Sequence, residues 1–152
     1  MLGRGNDLYR VYKKVLPACK PQDIHKTEPY IYSQFAHGPN SPEYGRGAYH
    51  WMTGTAAWMF RAVLDYMLGV QTTIDGLLIN PCINDEWDGY EVTRPFRKDI
   101  YKIKVHNPEH KQTGVSCVIV DGVKQDDNLV KYIGDGKEHI IEIFMNQSEE
   151  KL

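Results

Sequence analysis

Thr53-Gly54-Thr55 opens an apolar run whose hydrophobic residues recur at helical spacing as far as Gly69. At such a start, backbone N–H groups and a hydroxyl converge where the helix macrodipole is positive, which suits an oxyanion or a phosphate. The plainer alternative is an ordinary N-cap with a glycine easing the turn. Gln34, Arg46, Tyr49 and His50 precede this helix and offer further polar groups. A Walker-type phosphate loop is excluded, because GxxxxGK[ST] does not occur and no strand leads into the turn.

Other chemistries find less support. His25, His37 and His50 lie in a long loop without HxH or HExxH spacing, and His106, His110 and His139 fall in a later, strand-rich region, so the histidines form no metal set. Asp85, Glu86 and Asp88 surround Trp87 in a turn-rich connection, which reads as a solvated acidic turn anchored by the indole rather than a catalytic carboxylate pair. None of Cys19, Cys82 and Cys117 sits in a loop-to-helix turn beside a histidine. Their odd number, wide spacing and lack of CxxC fit buried thiols in a reducing compartment.

The elements that must position the turn follow from periodicity. Leu8, Val11, Tyr12, Val15 and Leu16 mark one face of a short helix, with Asn6 or Asp7 as cap and Pro17 as stop. Residues 17–50 carry five prolines and three glycines, too punctuated for long regular elements, but their aromatic residues argue that the segment packs against something. A second helix is expected from about Thr53 to Leu68, apolar on more than one face and so buried on most sides, with Gly69 as its left-handed stop. After Gly69 the period becomes alternating. Leu77–Ile79, Tyr90–Thr93, Ile100–His106, Val115–Val120, Leu129–Ile133 and Ile140–Met145 read as strands. Asp75-Gly76, Asp88-Gly89, Asn107-Pro108, Asp121-Gly122 and Asp135-Gly136 punctuate them as turns. The expected class is α+β, with helices and a long ordered loop before a boundary at residues 69–75 and an antiparallel sandwich-type module after it. The tail Gln147–Leu152 is polar and expected to fray.

Two helices with heavily apolar faces cannot bury those faces by themselves; they read as the end of a larger helical assembly. The chain has 152 residues, 41% hydrophobic and 25% charged, with a formal charge of −2, which is an ordinary soluble composition. No basic block points to nucleic acid, and no apolar run approaches the roughly 18 residues of a membrane span. The N-terminus lacks the order of a signal peptide, so a cytoplasmic location is expected.

A set of segments narrows the reading. Glu28-Pro29-Tyr30-Ile31-Tyr32-Ser33-Gln34, Gly45-Arg46-Gly47, Trp51 to Met59 with the Thr-Gly-Thr-Ala turn, Asp75 to Ile83, Trp87-Asp88-Gly89-Tyr90 and Thr93-Arg94-Pro95-Phe96-Arg97 together resemble the C-terminal part of inverting glycoside phosphorylases of the cellobiose and chitobiose phosphorylase type. The resemblance implies the last helices of an (α/α)6 barrel over residues 1–70 and a C-terminal antiparallel β-sandwich over 71–152. It implies phosphorolysis of a β-linked disaccharide or oligosaccharide with inversion, giving an α-sugar-1-phosphate. It assigns phosphate binding to Gln34, Thr53 and Gly54, with inorganic phosphate as a substrate and no cofactor or metal. The family's general-acid aspartate, together with an arginine and a histidine for phosphate, lies upstream of the matched region. No catalytic acid is assigned within residues 1–152, and the chain alone is expected to be inactive without the missing N-terminal part. Asn84 stands where the family usually has proline. Family enzymes are commonly dimers, so a homodimer is a further expectation, with neither nucleic acid nor membrane as partner. Two alternatives stand beside this reading: a non-catalytic interaction module, and the terminal region of a cyclic β-1,2-glucan synthase.

Overall fold

A computed structural model describes residues 2–146; the tail Gln147–Leu152 lies outside them. The fold is α+β with more strand than helix. By compactness the chain forms two units: one combines the residues up to Leu8 with Val63 onward, the other is Tyr9–Ala62.

The larger unit holds two sheets. Strands β3 (Val70–Thr72), β4 (Gly76–Ile79) and β9 (Leu129–Lys131) form a three-stranded antiparallel sheet. Strands β5 (Gly89–Phe96), β6 (Asp99–His106), β7 (Cys117–Val120), β8 (Val123–Lys124) and β10 (Glu138–Phe144) form a five-stranded sheet in the order β5-β6-β10-β7-β8. Strand β6 shows why these residues make a sheet. Tyr101, Ile103 and Val105 point inward and are buried, while Lys102 and Lys104 point outward to Glu138 at 2.7 Å and Glu91 at 3.3 Å. This is the alternation expected of a half-buried strand. Val70, Leu77, Ile79 and Val130 of the smaller sheet belong to the same buried cluster as Tyr101, Ile103, Val118, Ile141 and Ile143 of the larger one. The exposed ion pairs add little, about 0–1 kcal/mol each; the shared apolar cluster holds the unit together.

The pairing is not wholly antiparallel as expected. Strand β10 runs parallel to β6, from Glu138 opposite Ile100 to Phe144 opposite His106, and antiparallel to β7. Parallel neighbours need a long connection, and the chain between β6 and β10 supplies it by visiting β7, β8 and β9 on the way. Between β7 and β8 the turn is Asp121-Gly122, with φ of 49° and 81°, the left-handed pair of a tight two-residue hairpin. At the other end, helix α1 (Gly5–Val15) begins in this unit: the Asn6 side chain donates to Asp85 at 2.7 Å, and the Asp85 N–H donates back to Asn6 at 3.0 Å. Asn6 is thus a link between distant segments and lies within the helix, not at its cap.

The Tyr9–Ala62 unit departs most from expectation. Residues 17–50 are not merely a loop. After the 3-10 turn Pro17–Cys19 and the short α2 (Gln22–His25), strands β1 (Ser33–Ala36) and β2 (Gly47–His50) pair as an antiparallel hairpin, with Ser33 opposite His50 and Ala36 opposite Gly47. The expected single helix is two pieces. Helix α3 (Thr55–Arg61) passes into a π-helical turn over Ala62–Met67, where the Leu68 N–H reaches the Val63 carbonyl at 2.7 Å. No residue of α3 is buried, and Trp58 and Phe60 are 76% and 63% exposed. The expected burial of that helix is not met, because nothing among the described residues covers its apolar side chains. Cys19 is likewise exposed, against the expectation of three buried thiols; Cys82 is buried, and burial pushes its thiol up. Among the described residues no helix is long and apolar enough to cross a membrane.

Candidate functional site

The hairpin β1–β2 and the start of α3 bring Gln34 and Thr55 to one cavity, which Thr53 and Gly54 do not themselves line. A cavity of about 280 Å³ in the Tyr9–Ala62 unit is lined by Gln34 and Thr55, with Lys14, Lys20, His25 and Ser33 on its polar side and Val15, Ile31 and Phe35 on its apolar side. Gln34 sits on β1 and is exposed; no group among the described residues takes up its amide. Thr53 is tied to the cavity wall through Thr55. The two hydroxyl oxygens are 2.6 Å apart, and the Thr55 N–H donates to Thr53 Oγ1 at 3.2 Å. If Thr55 also donates through its hydroxyl, Thr53 accepts twice and keeps its own proton for an outside acceptor.

Gly54 occupies the N-cap with φ −76°, ψ 3° and no side-chain cap. A Cβ there would meet only the Trp58 side chain, at 3.6 and 3.7 Å. Neither backbone angle nor crowding inside the chain requires glycine at this place. Its N–H finds no acceptor among the described residues. The approach to this turn is strained: Tyr49 and Trp51 have φ of 53° and 65°, a region that bulky side chains rarely adopt.

Of the other polar groups near the turn, Arg46 pairs with Glu43 at the surface. His37 stands 3.6 Å from the same carboxylate. His50 contacts the Gly47 carbonyl at 3.2 Å. His25 pins the hairpin: Nδ1 contacts the Gly45 carbonyl and Nε2 the Ser33 hydroxyl, both at 3.2 Å. A Cβ on Gly47 would lie 2.2 Å from Ser33 Oγ and 2.8 Å from the His25 ring, so glycine is needed there. The proline-rich spacing of residues 17–50 concealed this pin.

In the larger unit the acidic turn is structural. Asp85 accepts from Asn6 and Gln112, and Trp87 packs against the apolar cluster. Sequence spacing also hid a second polar cluster. Asp99, Asp135 and His139, scattered over 41 positions of sequence, place ligand-type atoms within 4.8 Å of one another. All of those groups are already engaged. His139 is buried, with Nδ1 2.7 Å from Asp121 and Nε2 3.0 Å from Asp135. Carboxylates only accept, so both ring nitrogens carry protons; the Asp121 contact, helped by Asp135, outweighs burial and raises the imidazole above its ordinary value. Burial alone would push the Asp99 carboxyl up, but N–H donors from Gly134 and Gly136 at 2.6 and 2.8 Å and the Tyr101 hydroxyl hold it below the usual range. The cluster is an ion-pair clamp between β6, β10 and two turns.

Residues 1–69 match the pattern of the glycosyl hydrolase 94 superfamily, catalytic domain. The chain is similar to a solabiose phosphorylase of Paenibacillus borealis, 38% identical over 145 residues, covering 94% of this chain and 19% of that protein. It is similar to the N,N'-diacetylchitobiose phosphorylases of Vibrio proteolyticus, 41% identical over 80% of this chain and 15% of that protein, and of Vibrio furnissii, 39% identical over 82% and 16%. The chain thus spans less than a fifth of the length of each of these relatives.

Proposed function

We propose that the chain, whose residues 1–69 match the glycosyl hydrolase 94 superfamily, catalytic domain, is the C-terminal portion of a phosphorylase that cleaves a β-linked disaccharide with inorganic phosphate. In this reading residues 1–70 close an (α/α)6 barrel and 71–152 form its C-terminal β-sandwich. The uncovered side chains of α3 support the first half, since Trp58 and Phe60 are what a helix inside a larger helical assembly would carry.

One observation supports the proposal: Gln34 and Thr55 of the Thr53-Gly54-Thr55 turn, 21 positions apart, line one cavity, and among the described residues the Gln34 amide and the Gly54 N–H have no partner. An amide NH2, a hydroxyl and a backbone N–H are suitable donors for a phosphate dianion. Glycine at position 54, demanded by nothing within the chain, leaves the backbone open to a close approach by phosphate oxygen. Held there, phosphate attacks the anomeric carbon from the face opposite the leaving oxygen. A carboxylic acid from outside this chain protonates that oxygen, and phosphate stands where an inverting hydrolase places its activated water. The product is an α-sugar-1-phosphate. The partners in this reading are phosphate, the disaccharide, the rest of the barrel and a second copy of the enzyme, in the cytoplasm.

The test is product analysis by phosphorus and proton NMR. The chain joined or mixed with the upstream part of the enzyme should give phosphate-dependent α-sugar-1-phosphate from solabiose, diacetylchitobiose or a related β-linked disaccharide, and the chain alone none. Glucose or cyclic glucan formed without consuming phosphate would refute the reading.

A further inference from the structure

We propose that Arg94 is a latch for the upstream part of the enzyme, which places a carboxylate against the inner face of strand β5. The proposal rests on the reading above that this chain is the C-terminal portion of a longer protein. Strand β5 lies at the edge of the five-stranded sheet, and Tyr90, Val92, Arg94 and Phe96 alternate along its inner face, with Arg94 opposite the buried Tyr101. All four are half-buried, whereas Tyr101, Ile103 and Val105 on the inner face of neighbouring β6 are fully covered. Cover by the described residues thus gives out at β5, and a guanidinium stands in the uncovered margin. Its state differs from that of the other cations of this strand pair. Lys102 and Lys104 reach Glu138 and Glu91, and Arg97 donates to the Ile74 carbonyl at 2.8 Å while lying over the Phe96 and Tyr132 rings. Arg94 has neither hydrogen bond nor ion pair among the described residues, and its Nε is buried without an acceptor.

A shielded donor left unmatched is costly, and a guanidinium offers its donors as a planar fork that a carboxylate can accept from twice. An inward-pointing charge on an edge strand also deters pairing with another sheet, but that role asks only for charge and leaves the buried Nε unexplained. The occupant is the upstream polypeptide for two reasons. This chain spans less than a fifth of the length of its relatives, so most of such an enzyme lies outside it. The catalytic-domain match, which ends at residue 69, already touches this face of β5, because the Tyr90 hydroxyl donates to the Leu68 carbonyl just past the π-helical turn. Val92 and Phe96 flank Arg94, and apolar surroundings strengthen a carboxylate pair formed there.

The test is hydrogen–deuterium exchange of the Gly89–Phe96 strand, read by mass spectrometry in this chain and in the complete enzyme, with circular dichroism to confirm that each variant keeps its fold. In the complete enzyme Arg94→Met should speed exchange on the order of ten-fold, and Arg94→Lys should do so less. In the chain alone Arg94→Met should leave exchange unchanged or slow it, because it removes a donor that has nothing to bind. Lys102→Met, which breaks an exposed pair within the chain, should act alike in both forms. If Arg94→Met speeds exchange equally in both forms, Arg94 acts within this chain and the latch is overturned. If it changes exchange in neither, Arg94 only guards the sheet edge and the latch is overturned as well. Phosphorolysis by the complete enzyme is read separately: failure to form sugar phosphate refutes the functional reading, while exchange still decides the latch.

Discussion

Gly69 lies between the π-helical turn Ala62–Met67 and β3, and its replacement tests how the helical and strand segments are joined. Its φ is +67°, and an added Cβ would lie 2.1 Å from the Asn80 carbonyl oxygen, 2.2 Å from the carbonyl carbon and 2.4 Å from the Pro81 nitrogen. None of these is a flexible side-chain end. The Asn80 N–H donates to the Gly69 carbonyl at 2.8 Å, and the adjacent Val70–Ile79 pair is fully buried, so relief of the clash must shift a packed strand pair. A left-handed alanine costs about 1–2 kcal/mol and forced repacking about 1–3 kcal/mol, so Gly69→Ala should lose about 2–5 kcal/mol. Gly122 is the matched control: its φ is +81° but nothing lies within 4 Å. Gly122→Ala should therefore lose only the conformational part, about 1–2 kcal/mol. Urea unfolding of the chain, followed by near-ultraviolet circular dichroism, measures both. Equal losses in the two variants would refute the argument that close approach, and not backbone angle alone, demands glycine at position 69.

The His139 clamp gives a pH prediction. Its imidazole is raised above the ordinary 6.5, so its contribution is fully present below that value and disappears as pH rises through the folded value. The Asp121 carboxyl is lowered from 3.8 chiefly by the His139 contact, and the Asp135 carboxyl is lowered because N–H donors and Lys137 overcome its burial. Their contribution is present above 3.8 and is lost as pH falls through the lowered values. The larger unit should be most stable between those limits, and His139→Gln should flatten the alkaline limb of the stability profile; an unchanged limb would contradict the clamp. Gly54→Ala should leave stability within about 0.5 kcal/mol yet raise the phosphate KM of the complete enzyme, and a variant that keeps its phosphate KM would show that the space at position 54 is not used. Tyr90→Phe removes the hydroxyl that donates to the Leu68 carbonyl, and urea unfolding should show a loss of about 0.5–1.5 kcal/mol.

What could be read in the sequence was local. Strand β6 follows from Tyr101, Ile103 and Val105 alternating with lysines, and the Asp121-Gly122 hairpin from its dipeptide alone. The hairpin β1–β2 could not be read, because prolines and glycines mask strands whose pairing depends on the distant His25 pin. The parallel β6–β10 pair is a property of topology, which no window of alternating residues carries. The turn draws attention to Thr53 and Gly54, and resemblance to a family adds Gln34 to them. The other groups of the cavity could not be read: Lys14, Lys20 and His25 come to line it beside Gln34 and Thr55 only through folding. The His139 clamp was hidden for the same reason, since Asp99, Asp121 and Asp135 approach it from separate elements.

The central claim is that Gln34 and Thr53 hold the phosphate that attacks the sugar. Steady-state kinetics of Gln34→Ala and Thr53→Ala in the complete enzyme, with phosphate and disaccharide varied independently, test it most directly. Each substitution removes a hydrogen bond to a charged ligand, so the KM for phosphate should rise about ten-fold or more while the KM for the disaccharide holds. A phosphate KM that stays at the parent value in both variants would contradict the account.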